Sequence, residues 1–448
     1  MSVPNFISEY WASSPDGELL VGGVPISIVT AAHGTPLFVY DRAILERKYH
    51  SLRSTLPERF SISYSVKANP NPAILRFFLE KGCGLEIASA GEFRLAMNAG
   101  CRPAHIVFAG PGKSEDELET AIAAGIGEIH VESNIEIERI SNISARLGVR
   151  TPVSVRVNPT EESQGGAMRM GGRPAPFGID EEQIEATLER IASDRHLDFR
   201  GIHLFIGTQI LDHDLLLTQY RKGVDIAREV ARQMRSPLRT LDFGGGLGIP
   251  YFAGESELDL TAFGRGLREL MAEIENEDAF RKTNFMLEPG RFLAGEAGVY
   301  AARINDIKTS RGRKYLILDG GMNHHLAASG NLGQVIKRNF PIAILNRMHQ
   351  PETDSVDVVG PLCTPLDVVG RSVRMAAAEI GDLVGIFQSG AYARSASPLG
   401  FLSHPTPPEV WIENGRDALI RRRGSCEDFM SDVVSVDAEA HSVSCTHD

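Results

Sequence analysis

The sequence has few cysteines, no excess of basic residues and no long hydrophobic run. Its 448 residues include 5 Cys, none in a CxxC pair or a Cys/His cluster, so neither a disulfide framework nor a structural zinc site is indicated. Lys and Arg total 46 against 58 Asp and Glu, a net charge of −12 that argues against nucleic-acid binding. No stretch approaches the roughly 20 apolar residues of a membrane span, and no signal-peptide pattern is visible. We expect a cytoplasmic protein that binds no nucleic acid, membrane or metal.

What the sequence does contain, from about residue 60, is an alternation of short apolar runs with helical stretches. Several of these helical stretches begin at a capping residue such as Ser114 and end at a glycine such as Gly125. Eight such units predict an α/β fold, a closed (β/α)8 barrel; a doubly wound open sheet is the rival, but it would not need this number of units. The predicted strands are 60–68, 84–89, 105–110, 128–133, 153–159, 201–207, 240–246 and 284–290.

After Gly290 the pattern changes to strand-like runs with few helices between them, and a similar run lies near the N-terminus. This indicates a mostly β second domain that is built from both ends of the chain. We predict a barrel domain over 36–295, a β domain over 1–35 and 296–415, and a C-terminal tail over 416–448.

Polar and glycine residues recur where the predicted strands end. Barrel enzymes place their active sites at this edge, so a ring of such residues predicts a site there. The ring consists of Lys67, Ser89, Gly110, Glu132, Arg156, Asn158, His203 to Thr208, Gly244 to Gly246, Glu288 and Arg291.

Three motifs at these strand ends suggest specific chemistry. Burial of Lys67 at the end of an apolar strand would lower its pKa and make it a nucleophile, although a lone lysine there often reaches solvent instead. The run at 244–248, GGGLG, can direct backbone N–H groups at a phosphate, or can form a plain tight turn. In EPGR at 288–291, Glu288 suits a cationic pyridine nitrogen and Arg291 suits a phosphate or carboxylate. Together these groups match the three handles of pyridoxal 5′-phosphate.

In these motifs the chain resembles the fold-type III pyridoxal-phosphate decarboxylases, the family of diaminopimelate and eukaryotic ornithine decarboxylases. The resemblance runs from about Gly34 to Trp411 and implies a barrel with an alanine-racemase-like β domain. It implies that Lys67, in YSVKAN, carries the cofactor and that Glu288 faces its pyridine nitrogen. The further cofactor contacts that it implies are Glu86, Arg156, His203, Phe205, Thr208, Gly244, Gly245, Gly246, Gly290, Arg291 and Tyr392.

The resemblance also implies a homodimer with active sites at the subunit interface. GPLC at 360–363 resembles the segment that enters the neighbouring subunit's site, and Cys363 is with Lys67 a candidate donor of the proton that completes the reaction. The implied catalytic residues are therefore Lys67, Glu288 and Cys363.

Two departures from the family pattern bear on the substrate. Phe205 stands where the family has a histidine stacked on the cofactor, with His203 two residues earlier. Thr364 replaces the glutamate with which diaminopimelate decarboxylases read substrate amines, and Asp367 follows three positions later.

Several stretches, among them 166–172 and 325–341, look closer to a branch that includes exosortase-associated decarboxylases and a decarboxylase of glutamyl carrier proteins. This suggests a modified or carrier-tethered substrate, with an acyl-carrier protein as a possible partner. The candidate substrate contacts are Arg291, Cys363, Thr364, Asp367, Arg169 and His324.

The sequence thus predicts an α-decarboxylase of an amino acid or an amino-acid conjugate. The alternatives within the family are diaminopimelate decarboxylase and an ornithine- or lysine-type decarboxylase. A racemase is disfavoured because such enzymes place an arginine, not a carboxylate like Glu288, at the pyridine nitrogen. A non-catalytic cofactor-binding protein is disfavoured because such proteins resemble a lone barrel.

Overall fold

The computed structural model describes residues 5–160, 174–204 and 207–434, together with the backbone of 168–169. Within these ranges no helix is both long and apolar enough to cross a membrane. The N-terminal part forms a small antiparallel sheet and one strand that joins a larger sheet. Its elements are α1 (Asn5–Ser8), β1 (Ala12–Ser13), β2 (Leu19–Val21), β3 (Val24–Pro25), α2 (Ile26–His33) and β4 (Leu37–Asp41).

Eight parallel strands close into a barrel, which confirms the predicted fold class. In the order β5, β6, β7, β8, β9, β12, β14 and β15, each strand pairs with the next, and β15 pairs with β5. The strands of this region are β5 (Phe60–Ser65), β6 (Gly84–Ile87), β7 (Ile106–Phe108), β8 (Glu128–Val131), β9 (Thr151–Asn158), β10 (Met168–Arg169), β11 (Ile179–Asp180), β12 (Leu197–Leu204), β13 (Gly207–Thr208), β14 (Thr240–Asp242) and β15 (Asn284–Leu287).

Helices pack around the outside of the barrel, and side-chain caps set where many of them begin. The hydroxyl of Ser89 accepts a hydrogen bond from Glu92 N, and that of Ser114 accepts one from Glu117 N in a full capping box. The helices are α3 (Arg42–Thr55), α4 (Pro72–Glu80), α5 (Ala90–Asn98), α6 (Glu115–Ala123), α7 (Asn134–Leu147), α8 (Ile184–Ser193), α9 (His213–Met234), α10 (Leu260–Ile274) and α11 (Arg291–Ala294).

The second domain is mostly β-sheet, as predicted. Its main path runs β20, β19, β17, β16, β4, β22 and β23, and β21 joins β16 to β18. Its strands are β16 (Gly298–Ser310), β17 (Arg313–Leu318), β18 (Ile342–Ile344), β19 (Asp354–Val359), β20 (Val368–Met375), β21 (Leu383–Ile386), β22 (Glu409–Glu413) and β23 (Arg416–Arg421).

Two boundaries differ from the prediction. Strand β4 pairs with β16 and β22, so residues 37–41 lie in the second sheet and not in the barrel domain predicted from residue 36. Strand β23 pairs with β22, so the predicted tail is wrong over 416–421. The side chains of β23 are largely exposed, and the strand therefore lacks the apolar alternation that would have revealed it.

Candidate active site

A cavity of about 520 Å³ lies at the C-terminal end of the barrel, against the second domain. Loops after several barrel strands form its inner walls, and residues 327–340 and 392–396 close it from the second domain. The structure brings eight of the predicted site residues together around this cavity: Lys67, Glu86, Arg156, His203, Thr208, Glu288, Arg291 and Tyr392.

Lys67 lies in a short turn directly after β5, and 44% of its side chain is accessible. Its Nζ donates to both carboxylate oxygens of Glu86, at 3.0 and 2.9 Å. Burial lowers the pKa of Lys67, but Glu86, Tyr392 and Glu288 together raise it further, so its pKa lies above the ordinary value. The predicted lowering of this lysine pKa is therefore wrong.

The carboxylate of Glu86 forms the floor beneath Lys67. It is 1% exposed, and it accepts a third hydrogen bond from Ser65 Oγ at 2.5 Å. Glu92, at the start of α5, accepts a hydrogen bond from Ala88 N, and burial raises its pKa to about 7. Lys67 is thus held by a fixed anion at the bottom of the cavity.

Arg156 is held at the opposite wall by Glu132, across neighbouring strand ends. Its Nη1 lies 2.7 Å from Glu132 Oε1, and its guanidinium carbon lies 5.1 Å from the ring centre of Phe177. The Glu132 oxygens also accept hydrogen bonds from Gly110 N and Gly178 N. Burial would raise the pKa of Glu132, but Arg156 and Lys113 lower it below the ordinary value. The cationic side chain is therefore fixed before any ligand enters.

A glycine loop meets the loop of Thr208 at the third side of the site. Gly244 and Gly246 have positive φ angles of 66° and 103°, and a Cβ at Gly246 would lie 3.2 Å from the carbonyl oxygen of Gly207. The Gly246 carbonyl accepts a hydrogen bond from Ile210 N, which ties this loop to the one that carries Thr208. Glycine is thus required where two loops meet beside the cavity.

Arg291 begins α11 and is sandwiched between two tyrosines. Its Nη1 donates to Tyr251 Oη at 2.9 Å, and its guanidinium carbon lies 4.6 Å from the ring centre of Tyr392. Burial lowers the pKa of Arg291, but the two tyrosines raise it above the ordinary value. A permanent positive charge therefore faces the cavity.

Glu288 follows β15 and lies next to a group of buried titratable side chains. His203 Nε2 lies 3.4 Å from Glu288 Oε2, and His130 Nδ1 lies 3.8 Å from Glu288 Oε1. Burial lowers the pKa of His203 to about 4. His130, His203, Asp242 and Glu288 present ligand atoms within 4.8 Å of one another, a set whose chemistry suits a metal ion. The expectation that the protein holds no metal therefore stays a prediction.

Other predicted site residues lie away from this cavity in the single chain. Cys363 is exposed, and Thr364 accepts a hydrogen bond from Leu366 N. Asp367 is buried and its carboxylate accepts from Met322 N and Leu362 N, so it organises its own loop in the single chain, and its contact with the substrate stays a prediction. His324 is buried in the second domain, 3.1 Å from Tyr300 Oη. Phe205 and the side chain of Arg169 lie outside the described residues.

The sequence analysis missed an aromatic wall. Tyr251 and Phe252 follow the glycine loop, Phe177 lies in the loop after β9, and Phe340 comes from the second domain. The sequence pattern did not indicate them, because aromatic residues in loops carry no periodic signal. Their rings make the outer cavity apolar.

These residues fit pyridoxal phosphate. Among the described residues, Glu288 Oε1 and Arg291 Nε are buried without a hydrogen-bond partner, which leaves an acceptor and a cationic donor free in the site. The glycine loop, Thr208 and Arg291 suit the phosphate, Lys67 suits the aldehyde, and Glu288 suits the ring nitrogen.

Comparison with known proteins agrees with this geometry. Residues 42–295 match the family model described as the pyridoxal-binding domain of pyridoxal-dependent decarboxylases. The chain is 37% identical to an L-glutamyl-[BtrI acyl-carrier protein] decarboxylase of Niallia circulans, over 91% of this chain and 95% of that protein. It is 31% identical to the diaminopimelate decarboxylase of Zymomonas mobilis, over 95% and 99% of the two chains.

A solved structure shows the same architecture. The diaminopimelate decarboxylase of M. jannaschii superposes with a TM-score of 0.88 at 25% identity, over 96% of this chain and 99% of that one. The family match covers more than half of the chain. The cavity at the C-terminal end of the barrel carries the side chains that decarboxylation with pyridoxal phosphate needs. The chain belongs to the fold-type III pyridoxal-phosphate-dependent decarboxylases, and it is a carboxy-lyase of an amino acid or an amino-acid conjugate.

Proposed function

We propose that this enzyme removes the α-carboxylate of an amino acid whose far end is uncharged, as in an amide or a carrier-protein thioester. The observation that carries the proposal is the distribution of charge around the cavity. Among the described lining residues, the charged side chains Lys67, Glu86, Arg156, Glu288 and Arg291 surround the cofactor end. The outer wall is made of Phe177, Phe252, Leu332 and Phe340, with the neutral amides of Gln209 and Gln334.

The residues around the cavity have distinct roles toward the cofactor and the substrate. When bound, pyridoxal phosphate supplies the sink for the electron pair that remains when carbon dioxide leaves. The Lys67 amine would hold the cofactor's aldehyde carbon, and Glu288 would keep a proton on the ring nitrogen. Thr208, the backbone of 245–246 and Arg291 would hold the phosphate, because the Gly244 N–H already donates to Asp242 Oδ1. Arg156 offers its positive charge to an anionic group of the substrate or cofactor.

We infer an uncharged distal group on the substrate from the free-energy cost of burying a charge without a partner. Diaminopimelate carries a second amino and a second carboxylate group, and each would need a charged partner once it is desolvated. The outer wall of this chain offers aromatic rings and amides instead. The Niallia circulans relative, whose named substrate is a glutamyl group on a carrier protein, supports a tethered substrate. Diaminopimelate is the second candidate, supported by the Zymomonas mobilis relative.

We propose further that the enzyme works as a homodimer in which each chain completes the other's site. Cys363 is exposed and lies outside its own chain's cavity. A second copy would bring the 360–364 segment to the open mouth of the cavity. Cys363 of that copy, or Lys67, would then supply the proton that replaces the lost carboxylate on the α-carbon.

A carbon dioxide release assay with a panel of substrates tests the proposal. The panel contains glutamyl carrier protein, free glutamate, meso-diaminopimelate, ornithine, lysine and arginine. We expect turnover of the carrier-bound substrate and a loss of about 10³-fold or more in Lys67→Ala. The control Lys314→Ala removes a lysine that pairs with Asp354 in the second domain and should keep full activity. Faster turnover of meso-diaminopimelate than of the conjugate would refute the substrate proposal.

A further inference from the structure

Beneath Glu288, the barrel interior holds a group of buried titratable side chains that the reaction scheme leaves unused. Glu128 and His130 are two residues apart on β8, and they point to the same face of the strand. Asp242 ends β14, and the ring of His130 stacks on that of His203, with 4.4 Å between centres and 29° between planes. The exposure of these four residues, Glu128, His130, His203 and Asp242, is between 0 and 6%.

The ring of His130 lies between carboxylates on both of its edges. Its Nδ1 is 3.8 Å from Glu288 Oε1, and its Nε2 is 3.5 Å from Glu128 Oε1 and 3.8 Å from Asp242 Oδ2. Within the described part of the chain, none of these nitrogen and oxygen atoms has a hydrogen-bond partner. Buried polar atoms without partners are rare, and each ring nitrogen of His130 faces a carboxylate oxygen.

Asp242 and Glu288 lie close together in this group, and their surroundings shift their pKa values in opposite directions. Two buried carboxylates close to each other cannot both ionise unless a positive charge compensates them, so Asp242 and Glu288 compete. Burial raises the pKa of Asp242 well above its ordinary value, and Glu288 adds to this. Burial would also raise the pKa of Glu288, but His203, His130 and Lys67 lower it below the ordinary value. Of the two, Glu288 is thus the carboxylate that its surroundings keep ionised.

We propose that His130 is a positioning residue that supports Glu288 from inside the barrel and keeps its carboxylate directed at the cavity. His130 does not line the cavity, so it acts through Glu288 and not on the substrate. Glu128, which also accepts a hydrogen bond from Thr240 Oγ1 at 2.8 Å, anchors the far edge of the imidazole. This inference rests on the proposed role of Glu288.

The test compares His130→Phe, which keeps a ring but removes both donors, with His130→Gln, which keeps one donor. In His130→Phe we expect kcat to fall by about 10- to 100-fold with KM little changed, the range found when the support behind a ligating side chain is lost. The visible absorption band of the bound cofactor and its dependence on pH should change as well. His130→Gln should recover part of both signals.

Further measurements separate the possible results. Ser63→Ala, a change elsewhere inside the barrel, is the control and should match wild type. Glu128→Gln is isosteric, so it should fold like the wild-type enzyme. We expect it to lower kcat by less than His130→Phe does. If His130→Phe does not fold, the kcat and the cofactor spectrum of Glu128→Gln test the proposal. Unchanged kcat and an unchanged cofactor spectrum in Glu128→Gln and in folded His130 variants would overturn the proposal. Stoichiometric zinc in the purified enzyme would also overturn it, because the histidines would then be metal ligands.

Failure of this inference is distinguishable from failure of the proposed function. Borohydride reduction should attach the cofactor to Lys67 in wild type and in every His130 variant. A labelled Lys67 with unaltered spectra in the variants rejects only the role of His130. An unlabelled Lys67 in wild type rejects the wider scheme.

Discussion

At the scale of single residues, the charge around Lys67 decides when it can react. The lysine attacks an aldehyde only as the neutral amine, and Glu86, Tyr392 and Glu288 keep its pKa above the ordinary value. Capture of pyridoxal phosphate by the cofactor-free enzyme should therefore become faster as the pH rises toward that pKa.

The variant Glu86→Gln tests this dependence. It keeps the shape and the contact with Ser65 but removes the negative charge, so the pKa of Lys67 should fall. Capture rates, measured by absorbance after mixing, should then reach half their maximum at a lower pH than in wild type. Glu80→Gln, on the exposed face of α4, is the matched control. An identical pH midpoint in Glu86→Gln and wild type would contradict the account.

Residue identities in the sequence indicated much of the site, but not the path of the loops. Lys67, Glu288 and Arg291 follow barrel strands, and strand ends must meet at one edge, so their convergence could be predicted. Asp367 and His324 lie in loops of the second domain, where no such rule applies, and the structure turns both inward. The sign of the Lys67 pKa shift also depends on neighbours that only the fold brings close.

At the scale of elements, the barrel was predictable because each buried strand is a short apolar run bounded by polar residues or glycine. Strand β23 escaped prediction because it is exposed and is held by pairing with β22. Strand β4 was assigned to the wrong domain because its pattern does not reveal its partners, which are β16 and β22. For buried segments, the local sequence pattern thus predicts the presence of a strand more reliably than it predicts which sheet the strand joins.

The glycine loop after β14 carries an element-scale prediction. In Gly246→Ala, the positive φ angle should cost about 1–2 kcal/mol of stability, and the new Cβ would press on the Gly207 carbonyl. We expect pyridoxal phosphate affinity to fall by about tenfold, equivalent to about 1.4 kcal/mol.

The control for this loop is Gly254→Ala, which has a φ of 89° but open space around its Cβ. It should lose similar stability in thermal unfolding and keep its cofactor affinity in spectroscopic titration. Equal affinities in the two variants would show that the loop does not hold the phosphate.

At the scale of the whole molecule, the proposed dimer with Cys363 as the proton donor predicts complementation between two inactive variants. Lys67→Ala lacks the cofactor lysine, and Cys363→Ala lacks the proposed contribution to the neighbouring site. In a mixed dimer, one of the two sites carries both substitutions and the other carries neither. Equal mixing with subunit exchange should therefore restore about a quarter of wild-type activity.

The control for complementation is a mixture of Lys67→Ala with Lys67→Ala,Cys363→Ala, in which every site lacks the lysine. This mixture should stay inactive. Failure of the first mixture to regain activity, although mass measurements show mixed dimers, would reject the shared site.

The central claim is that Lys67 binds pyridoxal phosphate covalently at the mouth of the barrel. The most direct measurement is the mass of the peptide containing Lys67 after borohydride reduction and digestion of the purified enzyme. We predict a phosphopyridoxyl adduct on Lys67, absent from Lys67→Ala. A wild-type enzyme that decarboxylates its substrate while this peptide keeps its unmodified mass would contradict the account.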